Sequence, residues 1–337
     1  MLKKQGNTIK FSNPPSIIAH AAVVGKMEGE GPLAADFDMI FEDEYFGEES
    51  WELAESSLQN RTAALALEKA GLNKNELDFV ISGDLQNQCT GTHYSMRSMP
   101  APFFGIYGAC STMIEGLALS SILIDGGYGK KVLAGTSSHF CSAEKQFRFP
   151  LEYGGLRAPA SQWTVTGSGF AVLSDSGSDI KITHATIGRI IDKGVTDINN
   201  MGGAMAPAAA DTILTHFKDT GRTPSDYDLI LTGDLGVVGS DLLRDILNEQ
   251  GCDIYANHSD CGMMIFDRQN QDVHAGGSGC GCCASVLCGH VLKDMEQGNL
   301  KRIAVIATGA LMNPTTVLQG ESIPGIAHMV VIEKAEM

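Results

Sequence analysis

The strongest constraint on this chain is that it nearly repeats itself. LDFVISGDL at 77–85 returns as YDLILTGDL at 227–235, an offset of 150 positions. A second stretch, GACSTMIEGLALSSILIDGGYGKKVLAGTSS at 108–138, aligns with GCGCCASVLCGHVLKDMEQGNLKRIAVIATGA at 279–310. That alignment sets Lys130 on Lys301 and Cys110 on Gly281, an offset of 171. Each copy reads as a buried strand, a glycine-rich turn, an apolar helix and a further strand. Duplication of one such unit predicts two similar α/β halves related by a pseudo-two-fold axis, with boundaries at 1–178 and 179–337. Strands apolar on both sides predict sheets covered by helices on both faces.

Within the first copy, FFGIYGACSTMIEGLALSSIL reads as a short buried strand from Phe103, a Gly108-Ala109-Cys110 turn, and a buried helix. A thiol at that junction faces unpaired backbone N–H groups and the positive end of a helix dipole. The expectation is a lowered thiol pKa and the layout of a nucleophile elbow built with cysteine. A buried, inert cysteine is the competing reading. In α/β folds of this kind, ligands gather at strand C-termini and helix N-termini. Asp84, Cys110, Asp234 and the Gly276–Gly281 turn all fall at such ends and are expected to share one cleft.

Composition narrows the function. The 337 residues carry a net charge of −16, which disfavours unaided binding to nucleic acid or an anionic membrane. Acid is densest between Glu28 and Glu55, read as a solvated face or loop running into a helix. Nine cysteines, an odd number, and an opening without a signal-peptide pattern predict free thiols in a reducing interior. The longest uncharged apolar runs, such as Ser16–Gly25, are too short to span a bilayer, so membrane association is expected to be peripheral. Residues 1–15 read as a loose arm, and Ser50–Ala70 as a helix capped by Gly71.

Several polar residues are weighed as ligand contacts. Ser111 and His139 are candidates near Cys110. Arg148 and Arg157 are the cationic candidates on the same side, although surface arginines explain them equally. Gly277 and Gly279 put backbone N–H groups at a helix start, an anion cradle. His258 and His274 flank that turn, where they also read as ordinary loop histidines. Phe147 and Trp163 are candidate stacking partners or core residues. Cys280, Cys282 and Cys283 lack the spacing of a zinc site and read as tight packing, so neither metal nor cofactor is expected. GGSGCG has no strand–helix–strand unit after it and is not a dinucleotide loop.

Taken together, LDFVISGD, the GACS elbow, KVLAG, VTGSGFAVLS and HAGGSGCGCCASVLCG resemble the thiolase superfamily, and most of all its ketoacyl-acyl-carrier-protein synthase III type, from Ile17 to Ile332. The resemblance implies five-stranded mixed sheets in each half, layered α-β-α-β-α, and a homodimer paired through edge strands next to the elbow. Condensing enzymes of this type pair the elbow cysteine with a histidine and an asparagine. The histidine's place here holds Gly233 and Asp234, and the asparagine's place falls near Gly279. Loss of even one preorganised donor costs about 3–4 kcal/mol of transition-state stabilisation. More narrowly, the chain resembles the stage V sporulation protein AD (SpoVAD) family of spore-forming bacteria. That likeness implies a non-catalytic protein that binds dipicolinic acid or a similar small dicarboxylate, with or without calcium. It would act within a membrane uptake complex on the cytoplasmic face of the spore inner membrane. The alternatives are an acyltransferase that acylates Cys110, with Asp234 or His258 as an unusual base, and a purely structural docking subunit.

Overall fold

The computed structural model describes residues 4–147 and 157–335. Arg148 therefore lies outside the described residues. The first half contributes β1 (Ser16–Val24), β2 (Phe79–Gly83), β3 (Phe103–Gly105), β4 (Lys131–Ser138) and β5 (Gly167–Ser174). The second contributes β6 (Ile180–Thr186), β7 (Leu229–Thr232), β8 (His258–Asp260), β9 (Arg302–Ala310) and β10 (Gly325–Lys334). The sheet order is β8-β7-β9-β10-β6-β1-β5-β4-β2-β3, so each strand of the first half has its counterpart five labels later. In both halves the three strands at the far edge run parallel and the two nearest the junction are antiparallel. The two five-stranded sheets are not separate. They join at the Ser16–Lys181 pair and, with three short strands, make one thirteen-stranded sheet.

The helices used below are α1 (Trp51–Ala70), α2 (Thr90–Met96), α3 (Thr112–Asp125), α4 (Phe140–Phe147), α5 (Met201–Thr220), α6 (Gly236–Glu249) and α7 (Cys280–Val286). Helices α3 and α7 form the central layer, α3 reaching strands of both halves. Helices α1 and α5 cover the outer faces. Strand side chains alternate between these layers, as the pleat requires. Val132 and Ala134 join the central core while Leu133 faces α1; Ile303 and Val305 join the central core while Ala304 and Ile306 face α5. The result is the layered α-β-α-β-α arrangement of the thiolase fold.

The duplication extends to individual bonds. Asp78 accepts the N–H groups of Lys130 (2.6 Å) and Lys131 (3.0 Å), and Asp228 accepts those of Lys301 (2.7 Å) and Arg302 (2.8 Å). Helices α1 and α5 both end on a left-handed glycine, Gly71 and Gly221.

Three expectations need correction. The described part of the 1–15 arm, from Lys4 onward, is not loose: Thr8–Lys10 pairs with β6, and Asp219 accepts the Thr8 N–H and hydroxyl. Strand β3 is an exposed edge rather than a buried strand, with Phe104 47% exposed. The acidic stretch is not wholly solvated, because Glu28 and Glu55 at its two ends are buried. Burial pushes the Glu28 carboxyl up to about 8.

The central helix α7 sits directly on the strands because small residues meet small residues. A Cβ added at Gly169 of β5 would lie 2.1 Å from the Ala284 carbonyl oxygen. Gly169→Ala is expected to cost about 1–3 kcal/mol through overpacking, read as a lowered midpoint in chemical denaturation. An unchanged midpoint would contradict this close approach.

Candidate functional site

Cys110 sits on a short 3-10 turn, Ala109–Ser111, and helix α3 begins after it. Ala109 holds φ at +50°, a left-handed conformation rare for a residue with a side chain and usual at sharp turns. Hydroxyls fix the turn: Ser111 Oγ donates to the Gly108 carbonyl (2.6 Å), and Thr112 Oγ1 donates to that of Ala109 (2.7 Å). Strand β9 backs it closely, since a Cβ at Gly309 would lie 2.5 Å from the Gly108 oxygen. Cys110, 7% exposed, forms the floor of a cavity of about 40 Å³, room for about three waters. Its walls come from both halves: Leu85, Tyr107 and Phe147 on one side, Met201, Ala310 and Met312 on the other.

Behind the thiol lies Asp234, fully buried. Its carboxylate accepts the Gly279 N–H (2.9 Å), the Ser278 hydroxyl (3.1 Å) and the Thr308 hydroxyl (2.8 Å), and its charge acts on the neighbouring Cys110 thiol. Its backbone is braced by Gln162, whose Nε2 donates to the carbonyls of Asp234 (2.7 Å) and Gly277 (2.8 Å). Below it, Asp260 accepts the N–H groups of Leu235 and Gly236 that open α6; burial raises its carboxyl to about 7.

This arrangement reverses the expected electrostatics of the elbow. Burial first, and the Asp234 charge second, push the Cys110 thiol well above its ordinary value. A turn dipole does not outweigh burial together with a neighbouring carboxylate, and the thiol stays protonated. The anion cradle is likewise used internally: Gly279 donates to Asp234, and Gly281 donates to Ser138 Oγ at 3.0 Å.

The remaining candidates divide. Ser111 is buried and turned back onto Gly108. Asp84 is buried behind Leu85, accepting from the Thr92 N–H and hydroxyl, both at 2.6 Å, and from the Gln86 N–H. His139 donates to the Glu44 carbonyl at 2.8 Å. Arg157 reaches the carbonyls of Asp272 and Gln162 and lies 4.8 Å over the Trp163 ring. Trp163 stacks on Phe140 at 3.8 Å, whereas Phe147 does line the cavity. His258 is not in a loop but on edge strand β8, between Thr232 Oγ1 and Arg244. His274 pairs with Asp272 at 3.0 Å. Gly277 pairs with Trp163 in a two-residue ladder. Cys280, Cys282 and Cys283 are fully buried, and among the described residues no cluster of three or more His, Cys, Asp or Glu is disposed to hold a metal. Sequence reasoning missed Tyr107, Met201, Met312 and the hydroxyl pair Ser278 and Thr308. The last two carried a weak signal as small polar residues next to the repeat's turn and strand end.

The family described as stage V sporulation protein AD (SpoVAD) matches residues 5–333. Stage V sporulation protein AD of Bacillus subtilis (strain 168) is 47% identical over 325 residues, covering 96% of each chain. Among solved structures, 3-oxoacyl-[acyl-carrier-protein] synthase III from Aquifex aeolicus VF5 superposes with a TM-score of 0.58 at 14% identity, covering 95% of this chain and 99% of that one. Cerulenin-bound OleA of Xanthomonas campestris gives 0.61 at 16% identity, covering 98% and 100%. Human mitochondrial 3-ketoacyl-CoA thiolase gives 0.58 at 12%, covering 97% and 99%. These likenesses show the fold.

Removing the Asp234 charge should release the thiol. Alkylation of Cys110 by iodoacetamide at neutral pH, followed by mass spectrometry, is expected to be slow in the native chain. It should be about tenfold faster or more in Asp234→Asn, for each pKa unit recovered. Equal rates would show that Asp234 does not restrain the sulfur.

Proposed function

The chain belongs to the stage V sporulation protein AD family, and on that premise we propose that it is a non-catalytic ligand-binding protein of sporulation. In this reading it takes dipicolinic acid, as its calcium chelate, in the cavity above Cys110. The observation that carries the proposal is Asp234 occupying the donors around the thiol. Condensation needs an ionised or ionisable cysteine and empty oxyanion donors. Here the thiol is held protonated and the Gly279 N–H already serves a carboxylate. Acyl transfer through Cys110 is therefore the weaker reading.

The walls suit a flat ring. Tyr107, Phe147, Met201 and Met312 supply apolar and polarisable surface, and Thr164 and Ser278 also line the cavity. A free dianion placed beside buried Asp234 pays repulsion and desolvation together. A calcium chelate presents no net charge, which is why the chelate is the favoured form. The cavity as it stands holds only a few waters, so a ring enters as its walls part.

Partners follow the same logic. Among the described residues no helix is long and apolar enough to cross a membrane. Membrane location at the cytoplasmic face of the spore inner membrane would then come through other subunits of an uptake complex. The free edge of β3, carrying Phe104 and beside it Tyr107, 44% exposed, is the surface proposed to pair with a second copy.

Titration calorimetry with purified protein is expected to give saturable binding of dipicolinate in the presence of calcium and weaker binding without it. Heat indistinguishable from dilution under both conditions would reject the ligand. Light scattering of the native chain should give a dimer mass, and Phe104→Glu should shift it to the monomer. A native monomer would reject the β3 pairing.

A further inference from the structure

One carboxylate ties two walls of the cavity to the body of the first half. Glu55, on α1, is 1% exposed. Its Oε2 accepts Ser142 Oγ of α4 at 2.6 Å and Gln86 Nε2 of the loop after β2 at 2.7 Å. Its Oε1 accepts Ser137 Oγ at the end of β4 at 3.1 Å. The loop and the helix held in this way are the ones that bring Leu85, Ala143 and Phe147 to the cavity. Asp84, fully buried, lies close enough for its charge to act on Glu55. It fixes the same loop through the Gln86 and Thr92 N–H groups.

The surroundings give this pair little cationic relief: among the described residues His93 alone draws the Asp84 carboxyl down by its charge, and burial outweighs it. Cys280 of α7 faces Glu55, and its thiol is held neutral by burial. Cys89 and His93 face Asp84 from the α2 side. Lys145 of α4 is taken by Glu52 at 2.6 Å, and His139 also faces Glu52. Among the described residues neither Glu55 nor Asp84 has a lysine or arginine acting on it. Two carboxylates in so dry a place hold one proton between them more readily than none.

We propose that Glu55 and Asp84 form a proton-linked latch on the cavity: while the pair keeps a proton, α4 and the Leu85 loop stay closed against α1, and loss of that proton to solvent lets them part. The closed state binds the proton more tightly than an opened, hydrated one, because burial raises both carboxyls and the Asp84 charge raises Glu55 further. Closure is therefore complete at low pH and is lost as pH rises through the raised titration. The device goes beyond the ligand assignment, since it acts on the walls whatever the cavity takes.

The fold supplies a reporter. Helix α4 begins at Phe140, which stacks on Trp163, and the only other tryptophan is Trp51. The test uses the full chain carrying W51F, with Trp163 fluorescence and backbone hydrogen exchange over 84–90 and 140–147, each exchange rate divided by its intrinsic value. Between about pH 6 and about pH 9.5, protection of those two segments is expected to fall about tenfold or more, with a matching fluorescence change. Glu55→Gln keeps the shape; its amide can accept from Ser142 and Gln86 and donate to Ser137, so both readouts should become flat with pH. Asp84→Asn removes only the neighbouring charge and leaves Glu55 buried, so it should move the fall to lower pH without abolishing it, and it carries the comparison if Glu55→Gln does not fold by circular dichroism. A flat profile in the W51F chain, or a variant that keeps the W51F profile, overturns the proposal.

Discussion

The hydrogen bonds converging on Asp234 govern the centre of this molecule. They bring together β9 through Thr308 and the turn before α7 through Ser278 and Gly279, and they set the carboxylate's charge beside Cys110 at the elbow before α3. A buried carboxylate with that many donors is tolerated because each donor offsets part of its desolvation. The same carboxylate adds to burial in pushing the Cys110 thiol up.

Duplication explains how such a site arises. Asp84 and Asp234 stand at equivalent ends of β2 and β7, and both are fully buried. Asp78 and Asp228 do the same work in each half, fixing the following strand by its backbone. The second pair has diverged. Asp84 turns inward to its own half, onto Thr92 and beside Glu55. Asp234 turns to the interface, onto Gly279 and Cys110. One copy of the aspartate organises a wall of the cavity and the other organises its floor.

Much of the fold was legible in residues. The repeat at 77–85 and 227–235, the continuous apolar strands and Gly71 as a cap all describe what one half does with itself. The short edge strand at His258–Asp260 was not legible, because three polar residues carry no periodic signal. Neither was the burial of Glu28 and Glu55, since a carboxylate in an acidic run looks solvated until its donors, brought from Thr166 and from Ser142, Gln86 and Ser137, are known.

By itself the sequence determined the two-fold α/β architecture, the place of Cys110 at an elbow and the absence of histidine beside Gly233, because these are properties of local pattern and order along the chain. Only the tertiary structure decided the charge state of that cysteine. The helix-end position favours thiolate, and burial with Asp234 in contact favours thiol. The second pair of effects wins because desolvation and a neighbouring full charge outweigh partial charges at the end of a short turn. That comparison depends on which residues meet across 124 positions of chain, from Cys110 to Asp234, a distance that local pattern does not span.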